Sequence, residues 1–475
     1  MIDKAYVRNT SPSAALVKAA GEDALSRLIF PALEREIRGM LTDSAAEQAI
    51  KVFALNLKNL LMQPPVKGKN VLGVDPAYRT GCKLAVVDST GKVLHTGVIY
   101  PTPPQNRVEE AAYTVKQLIK RFNITAIAIG NGTASRETEM FIADVLKSMD
   151  YPAAYMVVSE AGASVYSASK LAAEEFPDFD VSLRSAVSIA RRLQDPLAEL
   201  VKIDPKAIGV GQYQHDMPKA RLEEALSGVV EACVNAVGVD VNTASYSLLS
   251  HVAGLSESVA KNVVAYRNAH GHFKSRRQLL QVPKLGQKAF QQCAGFLRVP
   301  ESEDVLDNTA VHPESYEAAH KLAKLCGFSL SDLRSGQLEK LKSITEKESK
   351  ALAEQIGVGV PTLLDIIDEL QKPGRDPRES LPPPLLRKDL MKLEDLKPGM
   401  VITGTVRNVI EFGVFVDIGV HEDGLVHISQ LADKFVRHPS EVVKVGDIVN
   451  VRVLDVDPKR RRISLTMKGV RQKTQ

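Results

Sequence analysis

Within residues 71–88, two short apolar runs rich in β-branched residues flank a turn that holds Pro76 and Gly81, and a third run covers 93–99 after Asp88-Ser89-Thr90-Gly91. Runs this short, joined by connections this tight, predict antiparallel neighbours in one sheet. Helical periodicity over 105–122 and 135–148 then alternates with strand-like runs at 124–129 and 153–158. Three hairpin-linked strands followed by strand–helix alternation predict a mixed sheet covered by helices. Asp75 is the odd residue, an acid closing a strand otherwise fit for a core. It has two plausible uses. It either organises the turn through its own backbone, or holds a metal ion with acids from elsewhere in the chain.

At 475 residues the chain exceeds one ordinary core, so about three or four domains are expected. Hydrophobic content of 44% and charged content of 25% are those of a soluble globular protein. The four cysteines, Cys82, Cys233, Cys293 and Cys326, lie far apart with no CxxC pair. A zinc site or a disulfide framework is therefore not expected, and a reducing interior is the simpler reading. Neither a long uncharged apolar run nor a signal peptide is found, so no membrane association or secretion is expected and the cytoplasm is the default compartment.

Residues 1–66 carry helical periodicity, with Leu25, Leu28, Ile29, Leu33 and Ile37 on one stripe, and read as a helical scaffold ending at Gln63-Pro64-Pro65. The α/β region follows over 70–200. In 205–300 a short scheme occurs twice: Gly254-Leu255-Ser256 leads into one helix, and Lys284-Leu285-Gly286-Gln287-Lys288 leads into another. From His251 to Pro300 there are eight basic residues (Lys261, Arg267, Lys274, Arg276, Arg277, Lys284, Lys288 and Arg298) against one acid, Glu257. That surplus of seven exceeds the whole chain's +4 and predicts a concentrated basic face. Residues 301–372 read as a helical connecting domain, with Pro313 opening a helix, and 373–394 as a proline-rich linker. Five short strands with glycine turns in 395–470 fit a small Greek-key barrel.

The resemblance to a known family is specific at several places. Gly130-Asn131-Gly132-Thr133, Val158-Ser159-Glu160-Ala161-Gly162, Arg191-Arg192-Leu193-Gln194-Asp195-Pro196 and Gly211-Gln212-Tyr213-Gln214-His215-Asp216 are similar to the Tex-type transcription accessory proteins of bacteria. The resemblance implies a multidomain chain: an α/β RNase H-like mixed sheet of the YqgF branch, an all-α region of tandem helix-hairpin-helix motifs, and a C-terminal five-stranded OB-fold β-barrel. Against that family the amino-terminal helix-turn-helix region is absent, so residues 1–66 look like the end of a longer scaffold. His215 lacks Cys or His partners at ligand spacing and reads as structural.

Helix-hairpin-helix motifs aim backbone N–H groups at phosphates without reading bases, which points to Gly254, Ser256, Lys261, Lys284, Gly286 and Lys288. The barrel resembles the OB-fold RNA-binding domain named after the ribosomal S-one protein, through Phe412-Gly413-Val414-Phe415, Gly424-Leu425-Val426-His427 and Arg462-Ile463-Ser464-Leu465. Carried over, Phe412, Phe415 and His427 offer flat faces for bases. Asp457 and Arg462 form the polar edge, with Arg461 as an alternate. Phenylalanines three apart fall on opposite faces of a regular strand, so both are core only if Gly413 makes a bulge.

Nucleases of the RNase H-like fold hold Mg²⁺ between several carboxylates. Asp75 and Glu160 match two of them, and Asp195 is a possible substitute for a third. The late-helix position reads Arg184, and Asn131 stands where another acid belongs. The acidic set is incomplete. Gly130, Gly132 and Thr133 alternatively present N–H groups to a phosphate. The favoured expectation is a monomeric nucleic-acid-binding transcription accessory factor without a cofactor, its partners RNA or single-stranded DNA. The rivals are a Mg²⁺-dependent nuclease and a scaffold docking on RNA polymerase or the ribosome.

Overall fold

The computed structural model describes residues 12–328, 346–371 and, apart from 375, 382, 389–395, 411, 421, 445, 458–459 and 461, residues 374–472, with isolated positions elsewhere. Arg461 and part of the expected linker thus lie outside the described residues. The chain divides into two units, Met1–Leu57 with Val210–Leu226, and Lys58–Gly209 with Ser227–Gln475.

The first unit is helical, as expected. Helix α1 (Ala14–Asp23) passes through a wider turn into the long α2 (Phe30–Leu61), whose last residues belong to the second unit. The expected stripe is not a packing face: Leu25, Leu28, Ile29, Leu33 and Ile37 are 40–56% exposed. Among the described residues the first buried side chain is Ala46, and Ala46, Ile50, Phe53 and Leu57 form the inward stripe at three- and four-residue spacing. Phe53 lies against Gly211, where a Cβ would come within 2.0 Å of the ring. Asn56 donates to the Val210 carbonyl at 2.8 Å.

The second unit opens with β1 (Val71–Asp75), β2 (Cys82–Val87) and β3 (Val93–Ile99), each antiparallel to the next. Helix α3 (Val108–Arg121), β4 (Ala126–Gly130), α4 (Ser135–Lys147) and β5 (Ala154–Val158) follow, with β4 parallel to both β1 and β5. The sheet order is β3-β2-β1-β4-β5, the mixed sheet expected. Both faces are covered, which is why its strands read as continuous apolar runs. Leu72, Val74, Ile127 and Ile129 meet α3 and α4, while Val71, Ala85, Ala126 and Ala128 meet α5 (Val181–Gln194).

Helix α6 (Lys219–Val237) leads to β6 (Val239–Asp240), which pairs in parallel with β7 (Leu297–Arg298) and brackets the duplicated hairpins. These contain α7 (Tyr246–Leu249), α8 (Glu257–His270), a 3₁₀ segment Arg276–Gln281 and α9 (Gln287–Cys293). Helices α10 (Tyr316–Cys326), α11 (Glu346–Ile356) and α12 (Val360–Leu370) share a separate aliphatic core. The last strands, β8 (Val401–Ile410), β9 (Gly413–Asp417), β10 (Gly424–His427), β11 (Ile448–Asp457) and β12 (Arg462–Thr466), close as β10-β12-β11-β8-β9.

Three arginines sit where these parts of the second unit meet. Arg276 is 1% exposed and donates to the carbonyls of Leu297 (2.7 Å), Val311 (2.8 Å) and Thr309, and to the Tyr316 hydroxyl (2.7 Å). Arg378, also buried, joins Asp376 at 2.8 Å to Asp195 at 2.7 Å. Arg387 pairs its backbone with Tyr155 of β5 at 2.7 and 2.8 Å, and its guanidinium reaches Asp417 of β9 at 2.8 Å. Replacing Arg378 with Met would leave part-exposed Asp195 without its cation and Asp376 with Lys67 alone, at 3.1 Å, a loss of about 3 kcal/mol, the low end for a broken buried pair. We expect a lower thermal midpoint and faster proteolysis near residue 378; an unchanged midpoint would contradict the role given to Arg378.

Candidate nucleic-acid interfaces

Among the described residues the barrel core holds no aromatic ring: Val406, Val414, Val416, Val426, Val449, Val451, Val453, Ile463 and Leu465 fill it, with Met467. Alternation along β9 sends Val414 and Val416 inward and leaves Phe415 half-buried on the outer face, opposite Leu425. Phe412 precedes β9, is 55% exposed, and its carbonyl accepts from Ile428 at 2.9 Å. Neither phenylalanine is core, and no bulge at Gly413 is needed to explain their spacing, because Phe412 stands in the turn. His427 lies opposite Gly413, exposed. Its Nδ1 accepts from the Ser429 N–H at 3.3 Å and lies 2.8 Å from the Ser429 hydroxyl, which fixes the ring.

Strand β12 runs parallel to β10 with Ser464 beside Leu425, so Arg462 falls on the same outer face at the end away from His427. Arg462 lies opposite Asp457, whose carboxylate accepts from the Arg460 N–H at 3.1 Å and closes the β11–β12 turn. Phe415 is therefore flanked by His427 towards one end and by the Asp457–Arg462 pair towards the other. Asp417, near the Arg462 end, is held by Arg387 and Arg407 at 2.8 Å each. These two cations keep its carboxyl below the usual range despite burial.

The two hairpins share one geometry. Gly254 (φ +84°) and Lys284 (φ +67°) each take the left-handed region, Leu255 and Leu285 are buried, and Ser256 and Gly286 cap the following helices. Leu255 N–H donates to Val252 and Leu285 N–H to Val282, at 3.0 and 3.1 Å. Gly254 serves internal packing as well, because a Cβ there would meet the Gln292 Cβ at 2.6 Å. A Cβ on Gly286 would meet nothing within 4 Å, so the space beside that turn is open to a ligand. Lys261 is exposed but paired with Glu257 at 2.6 Å, whereas Lys284 and Lys288 stand exposed at the second hairpin.

The basic count needs correction. Arg276 is fully interior, Arg267 donates to the carbonyls of Val241 and Ala244, and Arg298 is half-buried and donates to Gly295, its pKa lowered by burial to about 10. The basic residues on the surface are Lys261, Lys274, Arg277, Lys284 and Lys288.

In the α/β region Asp75 and Glu160 come together, and Asp195 does not join them. Asp195 takes Arg378 and accepts from the Ala198 N–H, capping the short helix Pro196–Leu200. The expectation for Arg184 is off by one helical position. Arg184 donates to the carbonyls of Phe176 and Ser167, while Ser185 bonds Asp75. Ser185, Ser188 and Arg192 fall on one α5 stripe, with Arg184 turned about 100° away. Arg192 is buried beneath Glu160, donating to the Ser159 and Ala161 carbonyls at 2.7 and 2.8 Å.

The phosphate cradle expected at Gly130 and Gly132 is filled by the protein itself: a Cβ on Gly132 would lie 1.7 Å from Glu160 Oε1. Asn131 accepts from the Glu160 N–H at 2.9 Å and holds that loop. Burial raises Asp75 to about 6, Ser185 opposes the shift, Glu160 adds to it and Lys83 opposes it. Among the described residues no group of three His, Cys, Asp or Glu side chains is arranged to hold a metal ion. Two carboxylates without a third acid, with Ser185 bonded to one and buried Arg192 beneath the other, do not supply the several carboxylates that hold Mg²⁺ in such nucleases.

Fold and sites define a multidomain protein built from nucleic-acid-binding modules. Family models match accordingly: the Tex protein YqgF-like domain over residues 69–194, a helix-hairpin-helix motif over 234–298, an HHH domain over 304–378 and the S1 RNA binding domain over 395–468. The YdcI protein of Bacillus subtilis is 56% identical over 98% of this chain and 65% of its own. "Protein tex" of Bordetella pertussis is 54% identical over 93% and 55%, and "Transcriptional accessory protein Tex" of Neisseria gonorrhoeae 53% over 93% and 57%. The chain belongs to the Tex family, and it spans between 55% and 65% of the length of these relatives.

The reading of 301–372 as mere connection overlooked a third hairpin. Gly357 (φ +84°), Val358 and Gly359 join α11 to α12 as their counterparts do above. The Gly-x-Gly between two helices was the available signal. Its surroundings, Glu354, Asp365 and Asp368, are acidic.

Two outcomes follow. Changing Lys284 and Lys288 together to Ala should weaken binding uniformly across sequences and reduce the salt slope by about 1–2, measured by titration over a salt series; an unchanged slope would remove that hairpin from the interface. Asp75 binds its proton more tightly folded than unfolded, so its contribution is present below the ordinary carboxylate pKa and is lost as pH rises through about 6. Asp75→Asn should therefore stabilise the protein at pH 8, on the order of 2 kcal/mol, with the gain shrinking towards pH 4. Thermal midpoints showing the same gain at both pH values would contradict this.

Proposed function

We propose that this chain binds single-stranded nucleic acid, RNA foremost, by stacking bases on the barrel and holding backbone phosphates at the helix-hairpin-helix turns, as an accessory factor in transcription in the cytoplasm. The observation that carries it is the exclusion of Phe412 and Phe415 from an aliphatic barrel core. Phe415 on the strand face and Phe412 in the turn before it, beside the ring fixed at His427, suit stacking that tolerates any base. The Asp457–Arg462 edge beyond Phe415 supplies polar and cationic contacts to the sugar–phosphate chain.

The name of the Neisseria gonorrhoeae relative supports the accessory role in transcription. The model matched at 395–468 is an RNA-binding domain, which favours RNA over DNA at the barrel. A nuclease is the weaker reading, because Asp195 is committed to Arg378 and Arg192 lies under Glu160.

Phe412→Ala should lower affinity for labelled single-stranded RNA by about five- to a hundred-fold, following a stacking contribution of about 1–3 kcal/mol per base. The thermal midpoint should not move, because the ring is 55% exposed. Fluorescence anisotropy with the whole chain reads both the affinity and its salt dependence. Unchanged affinity would dismiss the barrel face as the binding site.

A further inference from the structure

The β10–β11 connection carries Phe435, at 88% the most exposed large apolar side chain among the described residues. Its backbone is anchored. Val436 beside it is 7% exposed, Leu431 is 2% exposed, and Pro439 is buried. Arg437 N–H donates to Glu441 at 3.4 Å and Glu441 N–H to the His438 carbonyl at 3.0 Å. The inward position in this segment is thus taken by valine, and the ring is turned out between exposed Lys434 and Arg437.

Strand register fixes where this segment lies. Strand β10 ends at His427 opposite Gly413, and β11 begins at Ile448 opposite Thr405, with Gly446 N–H donating to the Val406 carbonyl. The chain between must cross the barrel end where β8 stops and β9 starts, which is the end that presents Phe412 and His427. The barrel contains three phenylalanines, Phe412, Phe415 and Phe435, and none lies in its core. Scattered exposed apolar residues are ordinary. A ring flanked by two cations, at the end that already offers two flat groups, has the make-up of a base-stacking position.

We propose that Phe435 is a further stacking residue, which extends the barrel's track by one nucleotide of single-stranded RNA beyond Phe412 and His427, with Lys434 and Arg437 on the flanking phosphates. The proposal rests on the barrel being an RNA-binding face.

The test titrates the whole chain with labelled oligouridylates of about four and about twelve nucleotides, lengths that bracket the site sizes of single OB folds. Phe435→Ala should leave the short oligomer's affinity unchanged and weaken the long one about five- to a hundred-fold, as the loss of one stacked base does. Phe435→Trp should retain or strengthen the long-oligomer affinity. Phe412→Ala should weaken both lengths. If Phe412→Ala weakens both and Phe435→Ala neither, the extension is wrong and the barrel assignment stands. Equal loss on both lengths with Phe435→Ala also overturns the extension. If neither variant changes either affinity, the barrel assignment itself falls, and the Phe435 segment is left to a protein partner.

Discussion

Three guanidinium groups, two of them fully buried, hold the second unit together at its junctions. Arg276 gathers the carbonyls of Leu297, Thr309 and Val311 and so joins the hairpin region to the helices that follow. Arg378 ties the segment after α12 to Asp195 at the end of the α/β region. Arg387 reaches β5 through its backbone and β9 through its side chain. A planar fork of five donors can satisfy several acceptors at once, which a lysine ammonium on a flexible stem does less well. None of the four cysteines is in a disulfide, so no such bond shares this work.

This use of arginine changes how the charge of the chain is read. Arginines from the basic centre are consumed inside the fold or half-buried against it, and lysines predominate among the cations left outside. Lysine is a point charge that suits phosphate contact without base reading. In the barrel the division runs between aliphatic and aromatic residues: valine, leucine and isoleucine, with one methionine, fill the interior, and the three phenylalanines lie outside it. Both divisions leave the surface with the groups a single strand requires, cations for its backbone and flat faces for its bases.

The antiparallel neighbours β1 to β3 were legible from short apolar runs joined by tight turns, and the barrel from period-two alternation with glycine turns, because both are encoded locally. The hairpins were legible from a turn scheme that recurs. What stayed hidden depends on contacts remote in sequence. Whether Arg184 or Ser185 faces Asp75 depends on the rotation of α5 against β1, and one residue is about 100°. Asp195 resembles a catalytic acid until Arg378, far along the chain, closes on it. The Leu25 to Ile37 stripe shows the opposite error: its periodicity is real, but nothing among the described residues covers it. Gly130 and Gly132 were read as a phosphate cradle, and the space beside them is taken by the Glu160 side chain, which comes from a loop remote in sequence.

The central claim is that the outward rings of the barrel and the open hairpin turn, rather than the Asp75–Glu160 pocket, receive the nucleic acid. Ultraviolet cross-linking of single-stranded RNA to the whole chain, with the adducts located by mass spectrometry, addresses it directly. Adducts on the peptides carrying Phe412, Phe415 and His427, with secondary adducts around Lys284 and Lys288, are the predicted result. Adducts concentrated around Asp75, Asn131 and Glu160, with the barrel unmarked, would contradict it.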